Sequence, residues 1–211
     1  EDKWAINGCP EDGPVLAVMR QDLEWVSNRG KRVVDEEREV RIYATPPTER
    51  VMDLSVTFKA RSGKVVFGDT KEGGICSVRV ATTMDGTRGG KIENSYGATT
   101  EAETWGRPAP WCDYSGPVAG KLVGLAIFDT PGNLRHPTTW HVRDYGLMTA
   151  NPFGLSHFRP GSGERGDYTL ESRGELKFRY RIFMHLGDAN QGHVRDKYHD
   201  YINPPKVRCE K

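Results

Sequence analysis

Nothing in the sequence is apolar for long enough to cross a membrane as a helix. The longest apolar run, VGLAIF at 123–128, falls far short of the roughly 18 residues that such a helix requires. An excess of one charge is missing too. Lys+Arg (30) and Asp+Glu (29) nearly cancel, and there is no basic run or acidic tail. The usual means of neutralising a phosphate backbone is therefore lacking, and no nucleic-acid partner is predicted. Cysteine is sparse: Cys9, Cys76, Cys112 and Cys209 are scattered with no CxxC, which leaves a zinc ribbon without support. They are either ordinary buried core residues or members of up to two disulfides. A Cys9–Cys209 bridge would tie the two ends together, but spacing assigns no pairing. GxSxG, Walker, Rossmann and HExxH patterns are absent, and no cofactor is predicted. There are no repeats and no alternation of strands with helices, which argues against a parallel α/β sheet. The chain opens EDKWAINGCPEDG, with no initiator Met, charged n-region or apolar h-region. It reads as a mature or trimmed product, with a secreted or periplasmic location slightly favoured.

What the sequence does have is punctuation. Its 24 Gly and 13 Pro are spread through 211 residues, the pattern of many short strands joined by turns. The length suits one domain, residues 1–211, and a domain of this size buries roughly 70% of its unfolded surface without needing disulfides or metal. Apolar stretches at 15–19 and 23–26 precede a turn at SNRGKR, and VRIYAT (40–45) follows. VMDLSVTFKA (51–60) alternates with period two, placing Met52, Leu54, Val56 and Phe58 on one face. ARSGK then closes a hairpin into KVVFGD (64–69), and ICSVRVAT (75–82) is a further strand. GKLVGLAIFD (120–129) is apolar on both faces, as a central strand is. ELKFRYRIFMHLGD (175–188) has Leu176, Phe178, Tyr180, Ile182 and Met184 as its core face. NPFGLSHFRPGSGERGD (151–167) reads as a long loop. One helix is predicted: Asp188 and Gln191 fit a capping box, Val194, Tyr198 and Tyr201 form one stripe, and Pro204–Pro205 stop it. The predicted fold is an all-β antiparallel β-sandwich, of supersandwich or jelly-roll type, with a short C-terminal helix.

The densest chemistry lies in NLRHPTTWHVRDYG, residues 133–146. Strand alternation puts Thr139, His141, Arg143 and Tyr145 on one face and Trp140, Val142 and Asp144 on the other. The first face is either the wall of a solvated groove or a strand surface facing water. Pro137 makes His136 a loop residue. As metal ligands the two histidines are too few by themselves. A second candidate is FGDTKEGGICSVRVAT (67–82), where Lys71 and Glu72 precede two glycines and Arg79 points away from Val78 and Val80. It is either part of a site with a carboxylate base or a plain ion-paired turn. Asn133 and Asn151 are neutral hydrogen-bonding candidates. WCDYSGPV (111–118) offers Trp and Tyr for sugar stacking or for packing. His185, His193 and His199 read as core or surface residues.

Five segments in order, DTKEGG…RVAT, GTRGGKIENSYG, WCDYSGPV, GLAIFDTPGNLRHPTTWHVRDYGLMTANPFG and HLGDANQ, resemble a bacterial family of unassigned function labelled methane oxygenase PmoA-like. The resemblance runs from about residue 15 to 205. It implies larger β-sandwich proteins with an additional N-terminal region bearing a histidine motif, which this chain lacks. It is similar in turn to galactose-mutarotase-type and polysaccharide-lyase supersandwiches, whose concave sheet binds sugars. The expectation that follows is a carbohydrate-active or carbohydrate-binding protein taking a small-molecule or glycan ligand. His136 or His141 would serve as general acid or base and Glu72 as the partner carboxylate. Lys71, Arg79, Asn133, Arg143, Tyr145 and Asn151 would hold the ligand. The alternatives are a non-catalytic binding or assembly module, and a metal-dependent oxygenase as the family label suggests. Whether the chain is an enzyme, and its oligomeric state, stay open.

Overall fold

The period-two alternation becomes one large antiparallel sheet in the computed structural model, which describes residues 4–5 and 11–205. The strands are β1 (Trp4–Ala5), β2 (Glu11–Asp12), β3 (Leu16–Val26), β4 (Arg32–Tyr43), β5 (Glu49–Lys59), β6 (Val65–Phe67) and β7 (Cys76–Arg79). They continue as β8 (Lys91–Asn94), β9 (Trp111–Val118), β10 (Lys121–Asp129), β11 (Trp140–Arg143), β12 (Leu147–Ala150), β13 (Tyr168–Leu170) and β14 (Glu175–Leu186). Three helices accompany them: α1 (Glu101–Thr104), α2 (Leu155–Phe158) and α3 (Val194–Ile202). The large sheet runs β1-β3-β4-β5-β14-β10-β9-β8, with β2 also pairing to β3. A three-stranded sheet, β11-β12-β7, and a two-stranded one, β13-β6, form the opposite layer. The expected all-β antiparallel sandwich is what the chain builds.

Strand alternation explains the core. Phe178 pairs with Val56, and Ile182 with Met52, so inward positions of β14 and β5 fall on one face. Phe58, Phe178, Tyr180, Tyr114 and Ile127 from that face meet Trp140, Val142, Met148 and Ala150 of the three-stranded sheet. Each large apolar side chain so buried stabilises the fold by roughly 1.5–3 kcal/mol. The other face of the large sheet is divided. Over β9, β10 and β14, α3 lays Val194, Tyr198 and Tyr201 on Trp111, Phe128 and Phe183. Over β3, β4 and β5 the outward positions are mostly charged, with the Ser55 and Thr57 hydroxyls among them.

Several expectations change in detail. The stretches 15–19 and 23–26 join into the single strand β3, and the 151–167 loop contains α2. The 138–146 stretch yields only the four residues of β11, with Asp144 and Tyr145 in the turn to β12. Asp188 and Gln191 do bond reciprocally, Gln191 N–H to Asp188 Oδ1 at 2.9 Å and Asp188 N–H to Gln191 Oε1 at 3.1 Å. Their box closes the turn before α3, however; the helix starts after His193, whose φ is 52°. Met184, expected in the core, is 37% exposed. It borders an open hollow of about 450 Å³ with Leu186, Met84 and Val80 at one end of the sandwich. Cys76 and Cys112 are free and buried, and burial pushes the Cys76 thiol up to about 12. The proposed Cys9–Cys209 pair lies outside the described residues. Among the described residues no helix is long and apolar enough to cross a membrane.

Candidate functional site

β12 lies between β11 and β7, and its register decides which side chains share the outward face. His141, Thr149 and Ser77 stand in one row; Arg143, Leu147 and Arg79 stand in the next. Trp140, Val142 and Met148 point into the core. The predicted division of faces therefore holds for these positions. His141 itself, expected either on a groove wall or on a water-facing strand surface, is only 2% exposed. Its ring lies beside Trp105 and Phe158, each 6.3 Å away between centroids. Trp105 follows α1 and Phe158 ends α2, so two short loop-borne helices cap the outer face. Gly106 makes this possible: its φ is +68°, and a Cβ there would lie 2.8 Å from the Phe158 Cβ.

The bonding of His141 restricts its chemistry. The Trp105 indole N–H donates to His141 Nδ1 at 3.2 Å. An indole nitrogen only donates, so Nδ1 carries the lone pair and the neutral ring's proton sits on Nε2. Burial holds the His141 pKa below its ordinary value, against the opposing pull of Glu72. Nε2 is buried without a hydrogen-bond partner, and Glu72 Oε2 lies 3.9 Å away. In this state Nε2 has no lone pair with which to accept a proton. In this tautomer His141 presents an oriented hydrogen-bond donor at Nε2.

Glu72 sits on an exposed turn whose shape is set from behind. Asn151 is fully buried; its Nδ2 donates to the carbonyls of Thr70 and Lys71, both at 2.9 Å, and its Oδ1 accepts from Phe153 N–H at 2.8 Å. Asn151 is therefore a backbone clamp for the Lys71–Glu72 turn, with both of its amide N–H groups used internally. Gly74 lets this turn press on β12, since a Cβ there would meet Thr149 Cγ2 at 2.0 Å. Lys71 Nζ lies 3.7 Å from Glu72 Oε1. Arg143 Nε is 3.0 Å from Glu101 Oε1, and the other oxygen of Glu101 accepts from Asp144 N–H at 2.6 Å. Next along the face, the Tyr145 ring meets the guanidinium groups of Arg79 at 4.8 Å and Arg143 at 5.5 Å. Glu101, Trp105 and Phe158 escaped the sequence reading. The one usable signal was Gly106 directly after Trp105.

His136 belongs to a different group of partners. Asp129, fully buried at the end of β10, accepts from Asn133 Nδ2 at 2.7 Å, from Thr138 N–H at 2.9 Å and from His136 Nδ1 at 2.8 Å. Burial raises the Asp129 pKa, while these three donors oppose the rise. Asn133 also spans Arg179, donating to its carbonyl and accepting from its N–H, both at 2.7 Å. Like Asn151, it spends both amide N–H groups on internal acceptors. A carboxylate only accepts, so His136 Nδ1 donates and the neutral ring keeps its lone pair on Nε2. Nε2 has no hydrogen-bond partner among the described residues, and the side chain is 18% exposed.

The structure thus brings His141, Glu72, Lys71 and Arg143 together and sets Arg79 and Tyr145 in the adjoining row. It separates His136 and Asn133 from them and places Asn151 behind the turn. Among the described residues, no three His, Cys, Asp or Glu side chains converge as metal ligands. A comparison with curated proteins gives no match. A model described as a family of unknown function, DUF6807, matches residues 10–199. That description supports the sequence resemblance in its coarser form, a family without an assigned function, and carries no methane-oxygenase label. The chain belongs to the DUF6807 family.

Proposed function

We propose that the chain binds a carbohydrate at the outer face of β7, β12 and β11. The observation that carries this reading is the buried, unanswered Nε2–H of His141, fixed in direction by Trp105 and set 3.9 Å from an exposed carboxylate. A sugar hydroxyl accepts and donates at once, so it suits a fixed donor paired with an acceptor that is free to move. Glu72, with its side chain 67% exposed, is the part that withdraws to admit it. Lys71, Arg143 and Arg79 supply charge around the position, and Tyr145, 46% exposed, supplies a ring. Binding of a neutral and acidic glycan panel by Glu72→Gln and His141→Gln tests the reading. Loss of a hydrogen bond to a charged group predicts roughly 10–100-fold weaker binding in Glu72→Gln, with the melting temperature kept because the side chain is exposed. Unchanged glycan affinity in both folded variants removes the site.

Turnover of the ligand is a second reading, and the Asp129–His136 pair favours it. A histidine whose Nδ1 is held by a buried carboxylate, with its Nε2 lone pair left over, is arranged as a general base. This reading moves the acid–base role from His141 to His136. A metal-dependent oxygenase would need at least three converging ligands. The described residues offer no such set, and metal analysis of the folded protein tests that reading directly.

A further inference from the structure

On the opposite layer, the outward face of β3, β4, β5 and β14 forms a trough of about 680 Å³. Register arranges its floor in rows. Arg181, Asp53 and Arg41 make one row, and Arg179, Ser55, Glu39 and Arg20 the next; Lys177, Thr57 and Glu37 follow. Most of these charges are already answered. Arg181 bonds Asp53 through two nitrogens at 2.6 and 2.8 Å, and Tyr43 Oη also donates to Asp53 at 2.9 Å. Glu39 is shared by Arg20 at 2.9 Å and Arg41 at 2.7 Å. Glu37 pairs with Lys59, and Lys177 with Glu175 at 2.8 Å.

Arg179 differs from its neighbours. Its side chain is exposed and lines the trough, and its guanidinium has no hydrogen bond or ion pair among the described residues. The cross-strand neighbour is Ser55, a neutral hydroxyl, and the acids on either side are taken. Its backbone, by contrast, is held at both N–H and C=O by Asn133. The result is a guanidinium on an anchored backbone, presenting an unused planar fork to solvent, beside the Ser55 and Thr57 hydroxyls. That fork matches a carboxylate with two parallel hydrogen bonds. The adjoining hydroxyls and the ion-paired carboxylates suit ligand hydroxyls.

We propose that this trough is a binding site for a sugar acid, free or as a uronate unit of a glycan, with Arg179 holding the carboxylate. It lies on the other layer from His141 and does not rest on the reading given for that face. The test is calorimetric titration of the whole chain with glucuronic acid, a uronate tetrasaccharide and a neutral tetrasaccharide of equal length. Wild type should bind at least one uronate probe and prefer it to the neutral one. Arg179→Gln should bind that probe about 10–100-fold more weakly with an unchanged melting temperature, because the Asn133 clamp engages only backbone. Arg179→Lys should recover part of the loss, since a point charge replaces the fork. Lys121→Gln, which removes an exposed cation outside the trough, should leave uronate binding intact and so separates loss of the Arg179 fork from loss of charge alone. Equal affinity for both uronate probes assigns a free sugar acid, and binding of the tetrasaccharide alone assigns a glycan. Wild-type affinity in Arg179→Gln, equal binding of the neutral tetrasaccharide, or no uronate binding by wild type overturns the proposal.

Discussion

Replacing His185 with Ala should lower the unfolding free energy by about 3–5 kcal/mol, the range for removing one partner of a buried ion pair. His185 Nε2 lies 2.9 Å from Asp113 Oδ2, and Asp113 is fully buried in β9. The other ring nitrogen lies 3.2 Å from the Leu186 carbonyl. Both nitrogens face acceptors, so the protonated ring satisfies both. The ring also fills space between two glycines: a Cβ on Gly124 or Gly192 would come within 2.3 or 2.2 Å of it. Truncation thus strands a buried carboxylate and leaves a void, whereas the double variant Asp113→Leu/His185→Leu should recover most of the loss. Burial alone would lower the His185 pKa, but the Asp113 bond reverses this and raises it above 6.5. A raised folded pKa stabilises fully below the unfolded value and is lost as pH rises through the folded one. Burial likewise raises the Asp113 pKa, which acts in the same direction. Urea unfolding of wild type and His185→Ala at pH 6 and pH 9 should show the difference narrowing at the higher pH. A loss under about 1 kcal/mol, or a difference that does not change with pH, would contradict the ion pair.

The strands that were legible are those whose burial is one-sided and regular. β5 and β14 alternate cleanly because one face is core, and the register that pairs Phe178 with Val56 follows from it. β4 was harder to read, because charged side chains stand on both of its faces: Glu36 is buried under Trp25 while Glu39 faces the trough. At the candidate site, period two correctly divided His141 and Arg143 from Trp140 and Val142. It carried no information on what lies above that face, because Trp105 and Phe158 arrive from separate loops. The same limit governs the asparagines. Asn133 and Asn151 occupy loop positions that look alike whether the amide serves a ligand or the backbone. Only their distant partners, Arg179 for one and Thr70 and Lys71 for the other, decide it. His185 read as a core or surface residue for the same reason, its carboxylate lying 72 positions away.

Asp129→Ala should cost a similar 3–5 kcal/mol, but its consequences separate two kinds of buried His–Asp pair. Removing the Asp129 carboxylate leaves the Thr138 N–H and one donor of Asn133 buried without an acceptor, and it frees the His136 ring. Each unmet donor contributes roughly 1–3 kcal/mol to that cost. In the Asp113–His185 pair both ring nitrogens are consumed, so nothing remains to meet a substrate. In the Asp129–His136 pair one nitrogen remains, with its lone pair outermost. Asp129→Asn keeps the volume but offers an N–H where a carboxylate oxygen stood, so one of the three donors must turn away. Where that donor is His136, the ring is free to move its proton to Nε2. If His136 is a base, Asp129→Asn and His136→Gln should both abolish turnover in a hydrolase and lyase screen, while His136→Gln leaves stability within about 1 kcal/mol because that ring is partly exposed. Full turnover by His136→Gln would remove the base, and wild-type stability of Asp129→Ala would remove the carboxylate as the hub of the 129–138 loop. A stable but inactive His136→Gln beside an unstable Asp129→Ala would divide the work within the pair, the carboxylate holding the loop and the imidazole meeting the substrate.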